Sequence, residues 1–213
     1  MRYRRPDRIE LSPIKEIEIE AARLPGVVSL AQGIPSFETP VEIREYVKRK
    51  LDQGEGSKYS LTPGLIELRE LIAESLSADG MRYDPDGEIL VTAGSIEAIS
   101  STLIALTEPG QEVLVPSPCY PSYQQAIRIA GCEPRFIALD EESNFDLDVE
   151  AIARQISPRT AAIFYCNPNN PTGTIYSRAQ SLRMMELAEQ HGLLIITDEV
   201  YKDFLFNDEP YFT

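Results

Sequence analysis

Four apolar runs recur through the second half of this chain with almost no polar residue inside them: EVLVP at 112–116, RFIAL at 135–139, AAIFY at 161–165 and LLIIT at 193–197. Successive side chains of a strand point to opposite sides of its sheet, so a strand apolar throughout must be covered on both faces. Between the runs lie segments with apolar residues at helical spacing, from Tyr120 to Ala130, near 146–155 and at 178–190. Strand, helix, strand in that rhythm predicts a largely parallel sheet with helices on both sides. EILVT at 88–92 reads as one more strand, feeding a helix from Ser95 to Leu106 with Ile96, Ile99, Leu103 and Leu106 turned inward.

The first ninety residues are less regular. Ser12-Pro13 reads as a helix start, with Ile14, Ile17 and Ala21 on one face. Val27 to Leu30 reads as a short strand. Ile43, Tyr46, Val47 and Leu51 form one helical stripe, and Leu65, Leu68, Leu71, Ile72 and Leu76 form another after Pro63-Gly64. Both stripes are expected to be core.

Ligands of parallel α/β sheets gather beyond the carboxyl ends of the strands, so the segments after each run matter most. Ala93-Gly94-Ser95 follows EILVT and opens into a helix, where free N–H groups can hold an anion; a plain helix cap has the same sequence. SPCYPSY follows EVLVP, and Tyr120 and Tyr123 there offer either turn packing or a flat face for a planar ligand. CNPNNPTG follows AAIFY. Pro and Gly make it stiff, and a rigidly held Asn can aim its amide at a ligand oxygen, although Asn, Pro and Gly also build ordinary turns. Asp198 follows LLIIT, ahead of Glu199-Val200-Tyr201. A carboxylate after a buried strand calls for a cation, or else serves as a helix N-cap. A phosphate cradle, an aromatic plate, an amide donor and a carboxylate with a phenol would together suit one planar, phosphorylated, cationic heteroaromatic, the description of pyridoxal phosphate.

Composition narrows the partners. Lys and Arg number 20 against 34 Asp and Glu, a formal charge of −14, which repels phosphate backbones and argues against nucleic acid. Cys119, Cys132 and Cys166 form no CxxC pair and His191 is the single histidine, so no metal site is expected. Sparse, odd-numbered thiols fit a reducing cytoplasm. The basic opening MRYRRPDR leads into no apolar stretch, so it reads as a solvated arm and not a signal peptide. No apolar run is long enough to span a membrane. No G-x-G-x-x-G follows a strand, which disfavours a dehydrogenase. A Ser-His-Asp hydrolase would need His191, which reads as a helix end.

Asn167-Pro168-Asn169-Asn170-Pro171-Thr172-Gly173, followed by Asp198-Glu199-Val200-Tyr201, resembles the class I/II aminotransferases of the fold-type I pyridoxal phosphate enzymes. The resemblance extends through Leu30 to Pro35, Tyr59, Thr62-Pro63-Gly64, Leu68-Arg69, Ala93-Gly94-Ser95 and Pro118-Cys119-Tyr120-Pro121, in the family's order. It implies an aminotransferase-like three-layer large domain with a mostly parallel sheet, plus part of a small α+β domain, the C-terminal part being absent. Residues 1–47 would be the amino-terminal arm and part of the small domain. Residues 48–213 would be the incomplete cofactor-binding domain.

The same resemblance implies roles. Asp198 would pair with the protonated pyridine nitrogen. Asn170 and Tyr201 would donate to the ring's phenolate oxygen, and Tyr120 would stack on the ring. Gly94, Ser95 and Ile96 would bind the phosphate, and Tyr59 would reach the phosphate of a neighbouring subunit in a homodimer with shared sites. Gly33 and Asn170 would face the substrates, an amino acid and a 2-oxo acid.

One part of the family's pattern is missing. Its Schiff-base lysine is expected beyond Thr213, with the carboxylate-binding arginine. Lys202 reads as a helix-surface residue. The chain alone is therefore expected to be an inactive portion of a cytoplasmic, biosynthetic transaminase. A pyridoxal-phosphate β-lyase or synthase on the same fold, or a truncated non-catalytic binding protein, stands as the alternative.

Overall fold

A computed structural model describes residues 12–33, 37–206 and 211–213. The opening arm and part of the Leu30–Pro35 segment lie outside them. The described residues divide into two compact units at Val91/Thr92.

The second unit carries the sheet. Its elements are α4 (Ser95–Leu106), β1 (Glu112–Ser117), α5 (Pro121–Ile129), β2 (Glu133–Ala138), α6 (Val149–Ala153), β3 (Thr160–Cys166), α7 (Arg178–His191) and β4 (Leu194–Asp198). The four strands run parallel in the order β2-β1-β3-β4. Period-two alternation splits each central strand between two cores. Val113, Val115, Ala162 and Phe164 pack with Ile99, Leu103 and Ile127 of α4 and α5. Leu114, Ile163 and Tyr165 pack with Ile152, Met184 and Ala188 of α6 and α7. Apolar side chains on both sides of a strand thus produce the three layers. The path from β1 goes outward to β2 by α5 and back to β3 by α6 on the opposite face. Strand order therefore reverses between β1 and β3, where such folds open a crevice.

At the other end of the sheet, Glu112 is 3% exposed yet charged. Ser157 Oγ donates to its Oε2 at 2.6 Å and Arg159 Nη2 to its Oε1 at 2.5 Å. Buried carboxylates are stable only with such partners. Glu112→Ala is expected to lower the unfolding free energy by about 1–3 kcal/mol, read from urea denaturation. α7 begins at a reciprocal Ser177–Gln180 capping box and stops at Gly192, whose φ of 65° suits glycine. His191 is the last residue of α7, as its sequence context predicts.

The first unit holds α1 (Pro13–Ala21), α2 (Val41–Asp52) and α3 (Ile66–Ala78). Arg69 is its buried anchor at 3% exposure, with Nη1 donating to Pro85 O. Gly64, at φ 97°, lies where an added Cβ would meet Val91 Cβ at 2.7 Å, and Val91 N donates to Pro63 O at 3.0 Å. Thr62-Pro63-Gly64 is thus a packed turn that admits no larger residue at 64.

Several expectations are corrected here. Residues 27–30 and 88–92 are not strands. Both are largely apolar, but Glu88 belongs to a turn, a strand exists only through a ladder, and no described strand pairs with them. Val28 and Leu90 are exposed. The stripes of α2 and α3 are largely uncovered in this chain: Ile43, Tyr46, Val47, Leu51, Leu65, Leu68 and Leu71 are exposed, and Ile72 and Leu76 are half-buried. An amphipathic stripe is buried only when a second surface covers it, and none does so among the described residues. Ile96 and Leu106 of α4 are also exposed, whereas Ile99 and Leu103 point inward as expected. Residues 200–203 form a turn, so Lys202 is not on a helix and Asp198 caps none.

Candidate active site

Asp198 closes β4 and is 7% exposed. Tyr123 Oη donates to its Oδ2 at 2.9 Å, and the Val200 N–H donates to its Oδ1 at 3.1 Å. Both donors are neutral, and no described residue forms an ion pair with it. A carboxylate so buried and held by neutral donors is suited to meeting a cation.

The three asparagines of the 167–173 loop divide the labour. Asn167 is 2% exposed; its N–H donates to Asp198 O at 3.0 Å and its Oδ1 accepts from Tyr176 N at 3.0 Å. Asn169 Nδ2 donates to Pro118 O at 3.1 Å and to Thr172 Oγ1 at 2.8 Å, tying this loop to the end of β1. Asn170 alone turns outward, and its Nδ2 donates to Tyr201 Oη at 3.1 Å. Asn167 and Asn169 thus serve the turn, and Asn170, with one amide N–H on Tyr201, has a second N–H to offer a ligand. A groove of about 410 Å³ runs beside them, lined by Pro168, Asn170, Pro171, Ile175, Tyr201 and Phe204.

Tyr120 is the N-cap residue of α5 and meets Tyr123 edge-on, with ring centroids 5.5 Å apart. Tyr123 in turn stands edge-on to Phe164 at 4.5 Å. Burial drives the Tyr123 phenol far above its ordinary range, helped by Cys166 and Asp198, so it remains a donor. Burial also pushes the Cys119 thiol up to about 11, with Cys166 adding to the effect. Cys119 is thus a packed thiol and not a nucleophile at neutral pH.

Gly94 has φ 89°, a conformation that favours glycine, and α4 starts with no side-chain cap. The carboxylate of Glu97 reaches back to Ala93 N–H. Gly94, Ser95 and Ile96 are exposed; the Gly94 N–H donates to Thr92 O at 2.9 Å, and Ser95 and Ile96 open the helix, whose first-turn N–H groups suit an anion.

The structure therefore brings Asp198, Asn170, Tyr201 and Tyr120 to the neighbouring carboxyl ends of β1, β3 and β4. Gly33 and Tyr59 belong to the first unit and are exposed there. The sequence reading missed the Tyr123 bond to Asp198. Its signal was the three-residue step from Tyr120 into the first turn of α5, which turns a phenol toward the strand ends.

The family profile "Aminotransferase class I and II" matches residues 25–213. The aromatic-amino-acid aminotransferase 2 of Thermococcus litoralis is 36% identical over 205 residues, covering 94% of this chain and 52% of that protein. The aspartate aminotransferase of Pyrococcus abyssi is 36% identical over 211 residues, covering 97% and 54%. Among solved structures, the aspartate aminotransferase from Thermus thermophilus with maleate superposes with a TM-score of 0.92 at 33% identity, covering 99% of this chain and 56% of that one. The chain spans about half the length of the relatives it matches. A three-layer parallel sheet, a stiff asparagine loop facing a tyrosine, and a buried carboxylate at a strand end are thus accompanied by sequence similarity along nearly the whole chain, which belongs to the class I and II aminotransferases.

Proposed function

We propose that the whole protein is a pyridoxal-phosphate-dependent aminotransferase moving an amino group between an amino acid and a 2-oxo acid. This chain supplies residues that would hold the cofactor. The observation that carries the reading is Asp198, buried and held by two neutral donors at the end of β4, neighbouring the Asn170–Tyr201 pair.

The residues present fit the cofactor. Asp198 offers a carboxylate to a protonated ring nitrogen. Asn170 Nδ2 and Tyr201 Oη, 3.1 Å apart, offer two donors that can converge on one ring oxygen. Ser95 and Ile96, at the start of α4, would offer backbone N–H groups to a phosphate, with Gly94, whose own N–H donates to Thr92 O at 2.9 Å, allowing close approach. Tyr120 supplies an aromatic ring at the mouth of the crevice. When bound, the cofactor supplies the electron sink that stabilises negative charge at the substrate's Cα. Asp198 would hold the ring nitrogen's proton by charge, and Asn170 and Tyr201 would set the proton affinity at the ring oxygen.

In the same reading Tyr59 reaches the phosphate of a second copy in a homodimer, and Gly33 closes over the substrate. Residues 1–47 belong to the arm and small domain, and 48–213 to the cofactor domain. Three free thiols, Cys119, Cys132 and Cys166, support a cytoplasmic setting. No helix among the described residues is long and apolar enough to cross a membrane.

The test is to titrate the whole protein, carrying the length its relatives have, with pyridoxal phosphate. A saturable visible absorbance band and oxo-acid-dependent amino transfer are expected. A protein that binds no pyridoxal phosphate would overturn the reading.

A further inference from the structure

We propose that Tyr123 is a positioning residue for the cofactor, acting through Asp198. This rests on the cofactor reading above and extends it to a side chain outside the set expected to touch the ring. Tyr123 is 2% exposed and sits in the first turn of α5, 75 residues before the carboxylate it meets. Its hydroxyl donates to Asp198 Oδ2 at 2.9 Å while Val200 N–H takes Oδ1 at 3.1 Å. One donor on each oxygen fixes the plane of the carboxylate. A free carboxylate rotates about its terminal torsion, which is broad and two-fold. Here rotation would break both bonds inside a site largely removed from water.

The phenol is itself held. Its ring stands edge-on to Phe164 at 70° and edge-on to Tyr120 at 79°, and it belongs to the core formed with Ile99, Val113 and Ala126. Tyr123 thus links the rigid sheet core to the carboxylate's orientation. An Asp on a strand end alone could point along several directions; the Tyr123 and Val200 donors fix one of them. The hydroxyl stays protonated across the working pH range, so the donor is never lost by titration.

The experiment uses the whole protein, wild type, Tyr123→Phe, Asp198→Ala and the double variant, each titrated with pyridoxal phosphate. Tyr123→Phe keeps the ring and removes one hydrogen bond to a charged group, worth about a tenfold change in an equilibrium. The expected result is about a tenfold weaker dissociation constant, an altered pH profile of the bound cofactor's visible band, and lower kcat with little change in KM for the amino acid. In the Asp198→Ala background the same substitution is expected to cost nothing further, because Tyr123 then has no carboxylate to orient. Equal losses in both backgrounds, or a Tyr123→Phe protein with unchanged affinity and pH profile, overturn the positioning role. Wild-type protein that binds no cofactor overturns the function reading instead, so the two failures are distinct.

Discussion

Asp198→Ala in the whole protein is expected to lower kcat by about 10²–10⁴. Losing one partner of a buried charged pair costs about 3–5 kcal/mol, and each 1.36 kcal/mol is tenfold in rate. The carboxylate is 7% exposed, so water cannot readily replace it as the ring nitrogen's partner. KM for the amino acid is expected to change far less, since the substrate's carboxylate is not held by Asp198. Steady-state kinetics with saturating cofactor check this. The bound cofactor's visible band should also shift, because the nitrogen's protonation would then follow bulk pH. A mutant with near wild-type turnover would reduce Asp198 to a structural acceptor for Tyr123 and Val200.

Phe164→Ala is expected to destabilise the fold by about 3–5 kcal/mol, the usual loss for emptying an aromatic core site. Phe164 is 0% exposed in the middle of β3, so the change leaves a cavity between the sheet and α5. It also removes the ring standing 4.5 Å from Tyr123, so weakened cofactor binding should accompany the lost stability. Urea unfolding of the whole protein, with cofactor titration of the folded variant, measures both. A loss under about 1 kcal/mol would mean the β1–β3 face collapses to fill the space.

The four central strands were legible because their signal is local. EVLVP, RFIAL, AAIFY and LLIIT appear as Glu112–Ser117, Glu133–Ala138, Thr160–Cys166 and Leu194–Asp198. The segments at 27–30 and 88–92 are also rich in apolar residues and form no strands. Composition reports apolarity, but pairing depends on a neighbour that a local window does not contain. The stripes of α2 and α3 failed for a similar reason: spacing defines a face, while burial needs a second surface.

The candidate site divides in the same way. Asn170, Asp198 and Tyr201 stood out through their motifs, and the structure sets Asn170 against Tyr201. The motif could not separate the three asparagines of the loop. Their partners, Tyr176 for Asn167, Pro118 for Asn169 and Tyr201 for Asn170, lie up to 51 residues away.

Read alone, the amino-acid order determined the α/β architecture, the strand ends worth inspecting and the carboxylate in need of a cation, since period and charge are properties of neighbours along the chain. Tertiary structure decided which phenol holds that carboxylate, which asparagine faces outward and which apolar stripes remain uncovered. Those outcomes depend on contacts between residues distant in sequence, and such contacts come into being only when the sheet brings its strand ends together.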